Sequence, residues 1–254
     1  MAFGGGTWLT QNKVLPGTYI NFVSAAAAYV NIADRGYACM GFNLDWGVEN
    51  EIFTVENSDF QTNSMKYFGY EYTNDKMKAL RDIFQNAKTV YCYRLNGTGG
   101  VKASNTFATA KYAGVRGNDI KIIITDSVDE EDKFDVSTYV GISLVDIQTV
   151  AATTELKDND YVVWKKEATL EATAGIPLTG GTNGTDSTGL SHQTFLEKSE
   201  KYRFNSIGAA VTDKVTKQLY AEHTKRMRDE VGVKYQCVLY DYEADYEGVI
   251  NVVN

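Results

Sequence analysis

The feature of this 254-residue sequence that most restricts its fold is a long β-type stretch set between two stretches where helix and strand patterns alternate. Over residues 134–142, apolar and polar side chains alternate, which is the period-two pattern of a strand with one face in water. Residues 119–125 and 161–165 add two apolar runs of strand length. We therefore predict a β-rich region over residues 101–185, inserted into the rest of the chain.

A helix and a strand are predicted before this region. Over residues 73–87, apolar side chains recur at three- and four-residue steps, as on one face of a helix, and Thr73 or Asn74 can cap it. Residues 89–95 form an apolar run typical of a buried strand. The acidic run 129–132 is predicted to be a solvated hairpin tip between two strands of the β-rich region.

Two more helices are predicted after the β-rich region. The first is capped by Ser191, and the second runs from Asp213 as its N-cap to Gly232 at its C-terminal end. Strands are predicted at residues 207–211 and 233–239. The order helix, strand, insertion, helix, strand, helix, strand predicts an open α/β sheet covered by helices.

The two ends of the sequence differ from its middle. A triple glycine and a Pro-Gly turn within residues 1–18 predict an extended arm, followed by a short strand at residues 19–23. Residues 249–254 resemble the start of another element. We expect the chain to be a fragment or its sheet edge to be completed by a partner, because an unpaired apolar edge strand is a template for another chain. The arm residues expected to contact a neighbouring subunit are Trp8, Leu9, Val14 and Leu15.

Composition and charge exclude several classes of protein. The 25 Lys and Arg against 33 Asp and Glu give a net charge of −8, which argues against a nucleic-acid partner. Three widely separated cysteines with no CxxC pair predict reduced thiols rather than a disulfide framework or a zinc site. Residues 24–30 are apolar but far shorter than the roughly 18 residues of a membrane span. We predict synthesis in the cytoplasm and no membrane insertion.

No catalytic constellation is evident in the sequence. His223 lies on the apolar face of its predicted helix, which is typical of a packed core residue, although it could also serve as the base for a cysteine nucleophile. The serine-hydrolase motif G-x-S-x-G is absent, since residues 204–208 begin with Phe where the first Gly must stand. Residues 96–102 resemble a phosphate loop but do not lead into a helix, and residues 158–160 lack the spacing of a calcium loop. We predict no catalytic residue, cofactor or metal site.

Several segments, in order, resemble the sheath protein of contractile phage tails, prophage tail-like particles and phage-tail-like bacteriocins of Gram-positive bacteria. They are LPGTYINF at 15–22, RGYACMGF at 35–42, LDWG at 44–47, YAGVRGNDI at 112–120, LTGGTNG at 178–184 and YEGVINV at 246–252. The family usually continues well past a segment like the last one, so the resemblance implies that this chain lacks the C-terminal part.

The resemblance implies a non-enzymatic structural protein of a contractile injection system. It implies an N-terminal arm at 1–18, an α/β core of subtilisin-like topology at 19–100 plus 186–254, and an inserted β-sandwich domain at 101–185. Family members form stacked hexameric rings around a tail tube above a baseplate, contract to drive the tube through a cell envelope, and exchange arm strands with neighbouring copies. The implied location is a phage tail or tail-like bacteriocin particle, assembled in the bacterial cytoplasm.

Two other functions remain open on the sequence alone. One is a small α/β hydrolase or nucleotide-binding enzyme that uses Cys92 or Cys237 with His223. The other is an adhesion module built on the β-rich region, with the acidic tip at 129–132 as its contact.

Overall fold

The computed structural model describes residues 36–253 of the protein. The predicted arm at 1–18 and the predicted strand at 19–23 lie outside the described residues. Within them, the strands are β1 (Tyr37–Phe42), β2 (Ile52–Glu56), β3 (Thr89–Arg94), β4 (Ala108–Ala110), β5 (Ile120–Asp126), β6 (Phe134–Val140), β7 (Ser143–Val150), β8 (Val162–Trp164), β9 (Thr173–Pro177), β10 (Ser206–Gly208), β11 (Gln236–Tyr240) and β12 (Val249–Val252). The helices are α1 (Asn57–Phe68), α2 (Lys78–Phe84), α3 (Gly189–Ser199) and α4 (Lys214–Arg226). None of these four helices has the length and apolar character needed to cross a membrane.

Six strands form one sheet, in the order β12-β11-β10-β1-β3-β2, which we call the core sheet. Neighbouring strands are parallel except for β2, which pairs antiparallel with β3. Parallel neighbours require long crossover connections, and helices lie within most of the connections here. The prediction of an open α/β sheet covered by helices is confirmed.

The two faces of the core sheet are covered by different helices. On one face, α3 and α4 enclose an apolar cluster that includes Ile207 and Cys237. On the other face, α1 and α2 enclose a second cluster that includes Phe60 and Val90, over β2 and β3. Among the described residues, α1 and α2 are the helices on this face, and they lie over β2 and β3.

Strands β4 to β9 lie between β3 and α3 in the chain and form two separate sheets, which we call the insertion. One has the order β7-β6-β5-β9, and the other pairs β4 with β8; all pairs are antiparallel. The inward side chains of β5, among them Ile122 and Ile124, are fully buried in an apolar cluster with Val136 of β6. The strands predicted at 119–125, 134–142 and 161–165 correspond to β5, β6 and β8.

Several predicted boundaries are wrong. The helix predicted at 73–87 is a 3₁₀ turn, Asp75–Met77, followed by α2, which ends at Phe84. The strand predicted at 207–211 ends at Gly208, and the strand predicted at 233–239 begins at Gln236. Strand β6 ends at Val140, because Gly141 adopts a φ of +63° and turns the chain, so that Ile142 is 98% exposed instead of lying on the strand. Helix α3 begins after Thr188 as its N-cap. Ser191 lies in the first turn, where its hydroxyl accepts a hydrogen bond from the Thr188 amide at 3.3 Å.

The boundaries predicted for α4 and its continuation are confirmed. Asp213 is the N-cap, and its carboxylate accepts a hydrogen bond from the Thr216 amide at 2.7 Å. After Arg226 the helix widens into a π-helical turn, Met227–Val231, and Gly232 ends it with a φ of +82°. A left-handed residue of this kind is a common helix terminator.

Candidate functional site

A network of polar groups lies where the insertion leaves the core sheet and returns to it, and we call this contact the joint. Four segments build it: 44–49 after β1, 94–100 after β3, 112–119 before β5, and 178–185 after β9. Three of the segments that carry the resemblance, 44–47, 112–120 and 178–184, therefore meet at one place in the structure.

The segment after β1 packs into both parts of the molecule. Leu44 is buried in the apolar cluster beneath α1 and α2, whereas Trp46 is buried in the cluster of the insertion. The Trp46 ring meets Tyr112 edge-on, with 5.3 Å between ring centroids, and its indole N–H donates to the Lys66 carbonyl at 3.2 Å. Burying a large apolar side chain contributes roughly 1.5–3 kcal/mol, so Trp46 is the apolar anchor of the joint.

Asp45 connects the core side of the joint to the returning end of the insertion. Its Oδ2 accepts hydrogen bonds from the Tyr70 hydroxyl at 2.7 Å and from the Lys76 ammonium. Its Oδ1 accepts a hydrogen bond from the Asn183 amide at 2.8 Å. Partial burial opposes ionisation, but the hydrogen bonds from Lys76, Asn183 and Tyr70 lower the pKa of Asp45 to about 2. The group is therefore a carboxylate at neutral pH.

Arg94 is a buried cation at the end of β3, only 1% exposed. Its guanidinium donates to the Ala113 carbonyl at 2.6 Å and, more weakly, to the side-chain oxygens of Asn96 and Asn183, each at 3.4 Å. Burial lowers the pKa of Arg94, yet guanidinium groups stay protonated in proteins. A buried charge is tolerated when it is hydrogen-bonded, so Arg94 depends on the insertion to satisfy its donors.

The two crossings between the core sheet and the insertion carry the same tripeptide, Asn-Gly-Thr, at 96–98 and 183–185. The copies lie side by side: the Gly184 amide donates to the Asn96 carbonyl at 2.9 Å, and the Thr185 amide donates to the Thr98 carbonyl at 3.0 Å. A Cβ on Gly184 would lie 2.3 Å from the Thr98 carbonyl oxygen, so this approach requires glycine. The repeated tripeptide is the sequence signal from which the joint could have been found.

Segment 112–119 fits against the main chain of Asp45. Gly114 has a φ of +142°, and a Cβ there would lie 2.0 Å from the Asp45 carbonyl oxygen. The same carbonyl accepts a hydrogen bond from the Arg116 amide at 3.3 Å. Asn118 then exchanges two hydrogen bonds of 2.8 Å with the Gly181 backbone, which ties this segment to 178–185.

His223 is a packed residue, as predicted from its position on α4. Its Nδ1 lies 2.9 Å from the Tyr235 hydroxyl and its Nε2 lies 3.2 Å from Glu200 Oε1. Burial lowers the pKa of His223, although Glu200 acts in the opposite direction. The imidazole is therefore neutral at neutral pH and serves the contact between α4 and its neighbours.

The alternative of an enzyme that uses a cysteine with His223 is not supported. Cys92 is buried in the cluster beneath α1 and α2, on the opposite face of the core sheet from α4. Burial raises the pKa of the Cys92 thiol well above its ordinary value and that of Cys237 to about 11. Both thiols stay protonated at neutral pH, whereas the thiolate is the nucleophile.

Residues 158–160 lie in an irregular segment before β8, and the protein itself satisfies their side-chain oxygens. The side chains of Asp158 and Asn159 accept hydrogen bonds from nearby backbone amides. Asp160 forms ion pairs with Lys66 at 3.1 Å and Lys111 at 3.4 Å. Across residues 36–253, no group of three or more His, Cys, Asp or Glu side chains is arranged to hold a metal ion.

A second candidate surface is the edge of the core sheet formed by β12, where residues 249–254 were predicted to begin a further element. Among the described residues, no strand pairs with the outer side of β12. The strand is fixed to the body of the protein through the segment before it: Arg228 pairs with Glu247 at 3.0 Å, and Tyr246 donates to Asp229 at 2.7 Å.

Within residues 36–253, no helix covers the apolar sheet face beside this edge, on the side away from α3 and α4. The exposed fractions are 49% for Tyr240, 46% for Ile250 and 42% for Val252. Ile250 is the last position of a row of paired residues that crosses four strands: Met40, Gly208, Val238 and Ile250. Tyr240 and Val252 form the next pair on the same face. We call β12 and this face the open margin.

The arm residues predicted to contact a neighbouring subunit lie outside the described residues, and their role stays a prediction. They are Trp8, Leu9, Val14 and Leu15.

Comparison with known proteins gives three consecutive family matches. The models are the tail sheath protein Gp18 domain III N-terminal region at residues 35–95, the phage tail sheath protein beta-sandwich domain at 96–183, and the phage tail sheath protein central domain at 185–254. The borders between these models fall within the joint.

Two relatives from Bacillus subtilis (strain 168) match 98% of this chain. They are an uncharacterized protein, YqbK, at 35% identity, and the phage-like element PBSX protein XkdK, at 36%. The match covers 57% of each relative, so the chain spans just over half the length of these proteins.

Two solved structures are similar as well. A sheath tail protein from Desulfitobacterium hafniense is 37% identical with a TM-score of 0.78, and the match covers 93% of this chain and 56% of that one. A sheath tail protein from Listeria innocua is 35% identical with a TM-score of 0.75, and the match covers 86% and 50% of the two chains.

Proposed function

Because the chain belongs to the phage tail sheath protein family, we propose that it polymerises as stacked hexameric rings around a tail tube and contracts to drive that tube through a cell envelope. Family membership makes the chain a structural sheath subunit. The observation that carries the proposal is the unbroken order of three sheath-domain matches over residues 35–254, together with the likeness to two solved sheath proteins.

The proposed organisation has three parts: an arm at 1–18, a core at 19–100 plus 186–254, and an inserted domain at 101–185. We assign the core a subtilisin-like topology without protease chemistry. Parallel strands with helices on both faces support an α/β core. The inserted domain is supported by the match of residues 96–183 to a beta-sandwich domain model and by strands β4 through β9, which lie in that range.

Neighbouring copies are proposed to pair through strand exchange, with the arm of one subunit contacting another. Within the part of the chain that the structure describes, no strand pairs with the outer side of β12, which supports this proposal, because an edge strand offers main-chain donors and acceptors to an incoming strand. Each large apolar side chain of the arm would contribute roughly 1.5–3 kcal/mol on burial. Several neighbours holding one subunit at once multiply these modest contributions.

The other proposed partners are a tail tube protein and a baseplate, in a phage tail or a tail-like bacteriocin particle. The relative named as a phage-like element protein supports an origin in such a particle.

Electron microscopy of the purified chain over a range of concentrations tests the sheath proposal. A sheath subunit should form rings or striated tubes, whereas an enzyme or an adhesion module should remain as separate particles. Deletion of residues 1–15 should leave a folded monomer that no longer forms tubes, as measured by circular dichroism and sedimentation velocity.

Two sets of substitutions test whether assembly depends on the apolar side chains of the arm when the length of the arm is unchanged. Changing Trp8, Leu9, Val14 and Leu15 to Ser should abolish tubes. The matched control changes the polar residues between them conservatively, as Thr10→Ser, Gln11→Asn, Asn12→Gln and Lys13→Arg, and should assemble normally. Long tubes from the deleted chain would refute the role of the arm while leaving the sheath proposal intact.

A further inference from the structure

The joint separates two tasks, attaching the insertion and orienting it. Trp46 attaches the insertion through apolar burial, which has no preferred direction. Hydrogen bonds depend steeply on angle and distance, so a network of them selects one orientation. The orienting contacts should therefore be polar groups that touch both sides of the joint.

Asp45 is such a group, since its two carboxylate oxygens face different parts of the molecule. Oδ2 accepts from Tyr70 and Lys76, in the connection between α1 and α2, and Oδ1 accepts from Asn183, at the end of the insertion. The Tyr70 ring extends the connection, because the guanidinium of Arg116, in the insertion, lies 4.7 Å from its centroid.

We propose that Asp45 is a positioning residue that fixes the orientation of the insertion on the core sheet through Asn183, Tyr70 and Lys76. This inference goes beyond the proposed function and does not depend on assembly. For a lattice subunit, its consequence is that surfaces on the two parts are presented in one fixed relation.

The donor and acceptor roles at the joint make the proposal specific. Asn183 donates to Asp45 through Nδ2, while its Oδ1 accepts from the Val115 amide at 3.1 Å and from Arg94 at 3.4 Å. Asp45→Asn alone turns an amide NH2 toward the NH2 of Asn183. Asn183→Asp alone places two carboxylates in contact, and each single change therefore breaks the connection.

The double exchange, Asp45→Asn with Asn183→Asp, restores every hydrogen-bond partner and moves the negative charge from position 45 to position 183. The new amide at position 45 donates to the new carboxylate at position 183 and still accepts from Tyr70 and Lys76 through its oxygen. The carboxylate at position 183 still accepts from the Val115 amide and Arg94. A merely structural contribution of either residue predicts no such recovery.

The test is a spin-label distance measurement on the full chain, with labels at Thr125→Cys on β5 and Gln218→Cys on α4. Both positions are exposed, and the native cysteines are buried, so labelling is selective. We expect one narrow distance distribution with the native joint, loss of that narrow distribution in each single variant, and its recovery in the double exchange. The control, Lys133→Ala, removes an exposed ion pair within the insertion and should leave the distribution narrow.

A narrow, unchanged distribution in both single variants would overturn the proposal, as would a double exchange that stays broad. Circular dichroism establishes whether each variant is folded. If a single variant unfolds, the double exchange decides: recovery of both the fold and the narrow distribution supports the pairing, and failure to recover either overturns it.

Discussion

The joint and the open margin are built from opposite chemistry. At the joint, buried and half-buried polar groups such as Arg94 and Asp45 find their partners within the chain, and glycines let backbones meet closely. At the open margin, aliphatic and aromatic side chains remain partly exposed beside a strand edge that has no partner among residues 36–253. The first arrangement specifies one geometry, whereas the second offers area and generic backbone groups to another chain.

This difference indicates which property each region controls. Changes at the joint should reduce the free energy of unfolding, because its groups lose partners that water cannot replace once they are buried. Changes at the open margin should leave folding nearly unaltered and act on assembly, because the side chains there are already partly in water.

The largest effect on stability is expected for Trp46→Ala. The side chain is 1% exposed, and removing a buried aromatic residue costs about 3–5 kcal/mol. The matched change at the open margin, Val252→Ala, should cost at most about 1 kcal/mol. Urea unfolding of both variants measures the difference, and equal losses would contradict the contrast between the two regions.

A smaller loss is expected for Gly114→Ala. Its φ of +142° is unfavourable for any side chain, and the new Cβ would meet the Asp45 carbonyl, so we expect a loss of about 3 kcal/mol. Gly180→Ala is the control, since it also has a positive φ, +81°, but no heavy atom lies within 4 Å of its Cβ position. The control should lose about 1–2 kcal/mol from backbone strain alone. If both variants lost the same free energy of unfolding, the close approach of Gly114 to the Asp45 carbonyl would not contribute to stability.

Periodic segments of the fold could be predicted from the sequence, and α1 could not. Strands β5 and β6 repeat their apolar residues at the strand period, and α4 is marked by its end signals, Asp213 and Gly232. The apolar positions of α4 are a poorer guide, because Val215 is exposed and the buried face includes Thr216 and Lys217. In α1 the buried residues are Phe60, Ser64 and Phe68, so a polar residue interrupts the stripe, and Asn63 departs from helical geometry. The helix is stabilised by packing against β2 and β3, which local sequence does not reveal.

Most of the joint was hidden as well, because each of its segments has the composition of a loop and only the repeated Asn-Gly-Thr links two of them. Asp45 and Asn183 are 138 positions apart, and no local pattern indicates that they share a hydrogen bond. The resemblance to sheath proteins includes three of these segments, but it gives no physical reason why those three should belong together. The reason is the contact itself, which exists only once the core sheet and the insertion have both folded.

The charge at Asp45 should be visible as a pH dependence. The pKa of Asp45 is about 2 in the folded protein against 3.8 for the ordinary group, so ionisation stabilises the fold above about pH 4. This contribution is lost as the pH falls through 2. We expect the free energy of unfolding of the native chain to exceed that of Asp45→Asn by about 1–2 kcal/mol at pH 7, and this excess to disappear near pH 2.

Urea unfolding of both proteins from pH 7 to pH 2 measures this excess. Asp129→Asn, in the exposed acidic turn, is the control and should change the free energy of unfolding by less than about 0.5 kcal/mol at pH 7. An excess that stayed constant down to pH 2 would show that the carboxylate charge is not what Asp45 contributes.

The smallest effect on stability, and the largest on assembly, is expected for Ile250→Lys at the open margin. The side chain is 46% exposed, so its replacement should change the free energy of unfolding by less than about 0.5 kcal/mol. A lysine on an edge strand opposes pairing with another strand, so tubes seen by electron microscopy and large species in sedimentation velocity should be lost. Val215→Lys, at a 77% exposed position on α4, adds the same charge away from the margin and should assemble normally. Tubes from Ile250→Lys equal to those of this control would show that subunits pair elsewhere, and the contrast with the joint would then concern folding alone.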